Sequence, residues 1–171
     1  MDFAIADMHF WHKNIIKYDN RPFKDVEQMN ETMIASWNKA VSDDDTVYHI
    51  GDFTLTMSQS KFWEVFSRLK GKIVFIRGNH DQILEKVFPG EMVDVKMVKG
   101  NDKNFWLSHY QHAEWPDKHR GVLHLFGHSH GRQTHNFVGA FDMCANSIGY
   151  TPMSLNAIAK KAEEIWLGED A

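Results

Sequence analysis

Five short polar clusters interrupt the apolar segments of this chain: Asp7-Met8-His9, Gly51-Asp52, Gly78-Asn79-His80-Asp81, Ser108-His109 and Gly127-His128-Ser129-His130. They supply carboxylate, imidazole and amide oxygen but no thiolate. That mixture suits Mn²⁺, Fe, Zn²⁺ or Ni²⁺ in a hydrolytic site better than a closed structural zinc site. Asp7, His9, Asp52, Asn79, His109, His128 and His130 are the candidate metal ligands, with His80 left over for chemistry. Asp7 and His9 are two apart, as are His128 and His130, and on extended backbone both members of such a pair point the same way.

Each cluster follows a run that reads as a buried strand: Phe3 to Ala6, Thr46 to Ile50, Lys72 to Ile76, Asn104 to Ser108 and Val122 to Phe126. In open α/β sheets, ligands gather beyond the carboxyl ends of the strands, so residues far apart in sequence can share one rim. Two more strand-like runs are Glu91 to Val98 and Phe137 to Met143, and Gly100-Asn101-Asp102-Lys103 reads as a hairpin turn. Apolar residues at helical spacing predict helices over Asp25 to Val41, over Ser58 to Lys70 with Ser58 as N-cap, and at the end of the chain. The last is capped by Ser154, presents Leu155, Ile158, Ala162 and Trp166 on one face, and stops near Gly168. Early β/α alternation predicts parallel crossovers; the later strands predict antiparallel pairing.

One domain spanning residues 1–171 is expected from a length of 171 residues and an apolar content of 43%. No apolar run approaches the ~18–20 residues of a membrane span, and the start carries no basic signal-peptide region. Cys144 is the sole cysteine, which excludes a disulfide within the chain and fits a reducing cytoplasm. A net charge of −4 argues against broad binding of duplex nucleic acid.

Taken singly, the aspartates would be ordinary turn or cap residues and the histidines ordinary surface residues. Jointly, the five clusters resemble the calcineurin-like metallophosphoesterase superfamily, with its ordered D-x-H, G-D, G-N-H-D/E, H and G-H-x-H blocks, here between Asp7 and His130. The resemblance implies a four-layer α/β/β/α sandwich of two mixed sheets flanked by helices. It implies two divalent metal ions, Mn²⁺ first among the candidates. Asp7, His9, Asp52 and His130 would hold one ion; Asp52, Asn79, His109 and His128 would hold the other, with Asp52 bridging. A bridging hydroxide would attack the phosphate ester, His80 would protonate the leaving group, and Asp81 would orient the His80 ring.

The choice of ester is less marked. The protein phosphatases of the superfamily follow G-D with an Asp-Arg pair; here the sequence continues Phe53-Thr54-Leu55-Thr56. The missing arginine favours a phosphodiester of a small, nucleotide-like molecule over a monoester dianion. Arg21, Arg120 and Arg132 could restore that function from elsewhere, which keeps a phosphomonoesterase or nucleotide phosphatase open, as well as a nuclease acting on a short single strand. A silent binding scaffold is a further alternative, disfavoured because His80 and every ligand are present. His12, Asn14 and Arg21 are the candidate substrate contacts on one rim segment. Trp11, Tyr110 and Trp115 are expected to pack the loops down, with stacking on a base as the alternative. Sequence does not determine the oligomeric state.

Overall fold

The computed structural model describes residues 1–90, 92–133 and 135–169, with side chains up to residue 165. Strands β1 (Asp2–Ile5), β2 (Thr46–Ile50) and β3 (Lys72–Ile76) run parallel; short β4 (Met92–Val93) and β9 (Met153–Ser154) complete a five-stranded sheet in the order β4-β3-β2-β1-β9. A second sheet, β5-β6-β7-β8, comprises Val95–Lys99, Asn104–Ser108, Leu123–Phe126 and Ala140–Asp142. Only β5 and β6 pair antiparallel there; β6-β7 and β7-β8 are parallel. Among the described residues, five α-helices accompany the sheets: α1 (Ile15–Tyr18), α2 (Val26–Ala40), α3 (Gln59–Phe66), α4 (Leu84–Val87) and α5 (Leu155–Glu169). None is long and apolar enough to cross a membrane among the described residues.

The period-two alternation of the strands builds two cores. Phe3, Ile5, Val47, Ile73 and Phe75 face one way and meet Met29, Met33, Trp37, Phe62 and Val65 from α2 and α3. Burying each such side chain contributes ~1.5–3 kcal/mol. The opposite face presents Ala4, Ala6, Ile50 and Ile76 to Phe105, Leu107, Leu123 and Leu125 of the second sheet, joined by Leu155, Ile158 and Ala162 of α5. The outer side of the second sheet is covered by the segment after β6, where Trp115 and His112 lie against His124 and Trp106. Two mixed sheets flanked by helices are therefore the architecture.

Helix ends follow the expected chemistry. The Asp25 carboxylate accepts from Gln28 N, Ser58 Oγ from Lys61 N and Ser154 Oγ from Ala157 N. The run expected as one strand from Glu91 to Val98 divides at Asp94, because the chain leaves the first sheet there and enters the second. Glu91 itself and the Trp166 side chain lie outside the described residues, and α5 is described through Glu169, next to Gly168, near which the sequence places its stop. The run from Phe137 to Met143 keeps only three residues of strand.

His49 is fully buried on β2 between the rings of Phe53 and Phe75, and neither ring nitrogen has a hydrogen-bond partner. Burial pushes its pKa from 6.5 down to about 3, so the folded chain holds it neutral. The stability this represents is present above pH 6.5 and is lost as pH falls toward 3, because the unfolded chain takes up the proton first. His49→Leu is expected to raise the urea midpoint, with a gain that grows by about 2 kcal/mol between pH 7 and pH 5. Parallel pH profiles for the two proteins would exclude this origin of acid sensitivity.

Candidate metal centre

The hydrogen-bond ladder continues past the strand ends into the polar loops. Asp7 N donates to Gly51 O at 3.0 Å, His9 N to Asp52 O at 3.0 Å, and Gly127 N to His109 O at 2.9 Å. The loops are not extended, however. Asp7, His9, Asp52, His128 and His130 all adopt left-handed backbone, with φ from 51° to 67°. The Asp7/His9 and His128/His130 pairs thus face inward because alternate residues curl the chain, not because a strand alternates. Each non-glycine residue so held costs about 1–2 kcal/mol, which the surrounding ladder offsets. Gly51 and Gly127 are among the glycines that close approach requires. A Cβ on Gly51, at φ 83°, would lie 2.3 Å from His109 Nδ1, and one on Gly127 would lie 2.3 Å from Asp7 Oδ2.

Two donor groups result. Asp7, His9 and His130 bring one ligand atom each within 4.8 Å of one another, and Asp52, His109 and His128 do the same. Asp52 Oδ2 lies between them, 3.7 Å from His9 Nε2 and 3.6 Å from His109 Nε2. Its other oxygen accepts from His80 N at 2.8 Å. Asp7 divides its oxygens similarly. Oδ2 accepts from His128 N and from Cys144 Sγ, while buried Oδ1 lies 3.2 Å from His130 Nε2 and 3.7 Å from His9 Nε2.

The donor set fits a divalent cation. His109 Nδ1 must carry its proton toward Ile50 O, 3.0 Å away, which leaves the Nε2 lone pair pointing at Asn79 Oδ1, also 3.0 Å away. His128 Nδ1 reaches the same amide oxygen at 3.0 Å. His9 Nε2 and His130 Nε2 stand 3.3 Å apart beside Asp7 Oδ1. Acceptor atoms converging at these distances repel unless a proton or a cation lies among them.

Charge is arranged accordingly. Burial by itself would raise the Asp7 carboxyl, but His130 and His9 hold it well below the usual carboxylate range. Burial opposes charge on His130, yet Asp19 and Asp7 together raise its pKa to about 9. His130 Nδ1 lies 2.5 Å from Asp19 Oδ2, a pairing that aims Nε2 at the site, and a metal ion there would displace a proton. Burial lowers His9 and His128, and it lowers His12 to about 4 with His9 and His80 adding to the effect.

The other residues singled out from sequence divide. His80 is exposed, with its ring 5.8 Å from that of His9, and the half-buried His12 ring lies 5.3 Å from His9. Asp81 does not back the His80 ring. It is buried, and its oxygens accept from Asp52 N, Phe53 N and Gly78 N, so it clamps two loops together. Burial raises its pKa to about 6 against the pull of those donors. Arg21 is not a substrate contact: buried, it donates to Met8 O at 2.9 Å and Asp7 O at 2.8 Å, under the first polar loop. Asn14 is exposed at the start of α1 and makes no side-chain cap. Trp11 and Trp115 pack their loops down through Lys61 O and Val122 O. Two positioning carboxylates escape sequence reasoning, since no motif marks them. One is Asp19. The other is Asp142, whose Oδ2 accepts from Ser129 Oγ, Gly131 N and Ser147 Oγ around the last cluster.

Comparison with known proteins matches residues 3–140 to the calcineurin-like phosphoesterase superfamily domain. The chain belongs to the calcineurin-like phosphoesterase superfamily. It is 36% identical to the uncharacterized protein MJ1445 of Methanocaldococcus jannaschii over 168 residues, covering 95% of this chain and 91% of that one. The gene 66 protein of Mycobacterium phage L5 is 24% identical over 73% of this chain and 75% of its own. The crystal structure of a protein of unknown function from Aquifex aeolicus shares the fold at a TM-score of 0.72 with 24% identity, covering 94% of this chain and 98% of that one. Calcineurin-like phosphoesterases are hydrolases that use divalent metals, and the two donor groups are this member's candidate metal-binding residues.

The Asp19 pairing has a measurable consequence. Asp19→Asn is expected to weaken Mn²⁺ affinity ~10–100-fold in a calorimetric titration while the circular dichroism spectrum stays unchanged. Unaltered affinity would remove Asp19 from the support of His130.

Proposed function

We propose that this phosphoesterase is a dinuclear metal-dependent phosphodiesterase acting on a small, nucleotide-like diester, with His80 as general acid. The observation that carries the diester preference is the commitment of the nearby arginines. Arg21 is buried against Asp7 O and Met8 O. Arg77 pairs with Glu85 and Asp94, Arg120 with Asp117, and Arg132 with Asp19 and Tyr18 O. Among the described residues, no arginine is left to meet the second negative charge of a monoester. A diester monoanion needs no such partner.

In this reading Asp7, His9, Asp52 and His130 would hold one ion, and Asp52, Asn79, His109 and His128 would hold the other. When bound, such ions supply Lewis acidity toward phosphoryl oxygens and bring the pKa of water toward ~7. Asp52 is fixed for this role by the His80 N–H on its other oxygen, and the same hydrogen bond positions the His80 backbone at the rim. The His80 ring is exposed, so it can deliver a proton to the departing alkoxide and be reprotonated from solvent. Mn²⁺ is the first metal to test, followed by Fe, Zn²⁺ and Ni²⁺, because every donor is oxygen or imidazole nitrogen.

His80→Ala is expected to leave bound metal unchanged and to cut turnover of bis(4-nitrophenyl) phosphate ~10²–10⁴-fold. Unchanged turnover would remove the general-acid role. With the unsubstituted protein, equal or faster turnover of 4-nitrophenyl phosphate would overturn the diester preference in favour of a monoesterase.

A further inference from the structure

A cavity of about 360 Å³ opens beside the second donor group, between the end of β3 and the loop after β6. Its size lies in the range of small-molecule clefts, ~300–1,000 Å³. Asn79 and His109 form its boundary with the metal centre, and Val95, Tyr110 and His112 line it further out. Tyr110 is 49% exposed and Val95 50% exposed, so both present apolar surface at the cavity. The Tyr110 ring lies 4.6 Å from that of His128 and 5.1 Å from that of His109, and its hydroxyl is 3.4 Å from Asn79 Oδ1. Of the three aromatic residues on the rim segments, it alone faces the donors rather than the core.

The wall is rigid. Ser108 Oγ donates to Tyr110 O, His112 N donates to His124 Nε2, and the Gln111 side chain donates to His135 O. Val95 is brought there by register, paired with Ser108 across β5 and β6. The cavity also lacks a cation to spend on a second phosphate, because Arg77 at its edge is engaged by both Glu85 and Asp94. A flat ring, an apolar side chain and an edge whose one guanidinium is held by two carboxylates suit an uncharged planar group.

We infer that this cavity is a subsite for the planar aromatic or heterocyclic substituent that stays on phosphorus during diester hydrolysis, with Tyr110 as its stacking surface. The inference rests on the diesterase reading for its direction. His80 and His12 flank His9, on the first donor group, whereas Tyr110 flanks His109 and His128, on the second. Water adds to phosphorus and gives up one proton to solvent, and the P–O bond to the leaving alcohol breaks with its proton coming from His80, which regains one from solvent. That alcohol departs on the first side. The ring-bearing ester oxygen stays bonded to phosphorus on the second side, and the product is its monoester.

The test separates binding from turnover. Calorimetry on the Mn²⁺-loaded protein compares diphenyl phosphate with dimethyl phosphate; kinetics compares bis(4-nitrophenyl) phosphate with methyl 4-nitrophenyl phosphate, which share a leaving group. The wild-type chain is expected to bind the diphenyl ester ~10-fold more tightly and to show a lower KM for the bis-aryl ester by a similar factor. Tyr110→Ala should bring both ratios to within ~2-fold of unity, Tyr110→Phe should keep them, and Val95→Asp should reduce them. Ratios indifferent to Tyr110→Ala, or lost equally in Tyr110→Phe, would overturn the subsite. If the binding ratio follows Tyr110 but neither diester is hydrolysed, the ring subsite stands and the diesterase reading fails. If both diesters are hydrolysed with ratios near unity in the wild-type chain, the reverse holds.

Discussion

Five donor residues in left-handed backbone are the constraint on which the rest of this protein depends. Asp7, His9, Asp52, His128 and His130 each sit where a side chain is disfavoured, and each is held there by neighbours rather than by its own preference. The parallel pairing of β1 with β2 runs on through Asp7, His9 and Phe10 against Gly51, Asp52 and Phe53. A second tie crosses the two sheets, where Ala6 exchanges hydrogen bonds with Met143 and Ala145 beyond β8. The small Ala4 and Ala6 let the second sheet approach, so that His109, His128 and His130 arrive opposite Asp7 and Asp52. Packing thus determines where the donor atoms lie, and backbone strain is concentrated where function needs fixed geometry.

Charge follows the same division of labour. Both site aspartates spend one oxygen on a backbone N–H of another ligand cluster, His128 for Asp7 and His80 for Asp52. The second oxygen of each is thereby aimed at the donors. Asp81, buried and acceptor to three N–H groups, locks the Gly51-Asp52 turn to the Gly78 turn. Asp19 stands behind His130 and is itself balanced by Arg21 and Arg132. The carboxylates that touch no substrate therefore matter as much to the site as those in the motifs, because an imidazole without its outer partner can turn away from the ion it should hold.

Much of the fold was legible because its signals are local. Period-two strands, the Asp25, Ser58 and Ser154 caps and the Gly100 to Lys103 turn depend on neighbours within a few residues. The break at Asp94 was not legible, since an apolar run looks the same whether it stays in one sheet or passes to a second. β9, two residues long and antiparallel to β1, carries too little pattern to announce itself. The mixed pairing of the second sheet was likewise hidden: strand sequences do not state direction, and the parallel β6-β7 and β7-β8 pairs are set by long excursions between them.

The sequence by itself determined which residue types are available and in what order: three aspartates, an asparagine and five histidines in ligand-bearing clusters at strand ends. That order is encoded in motifs whose members need only their immediate neighbours to be recognised. The tertiary structure alone decided which lone pairs face one another, that Arg21 lies under a loop instead of over a substrate, that Asp81 clamps backbone instead of orienting a ring, and that Tyr110 borders an open cavity while Trp11 and Trp115 are packed away. These outcomes depend on contacts that reach as far as 137 positions along the chain, and no local pattern carries the distance between two side chains once the sheets have closed.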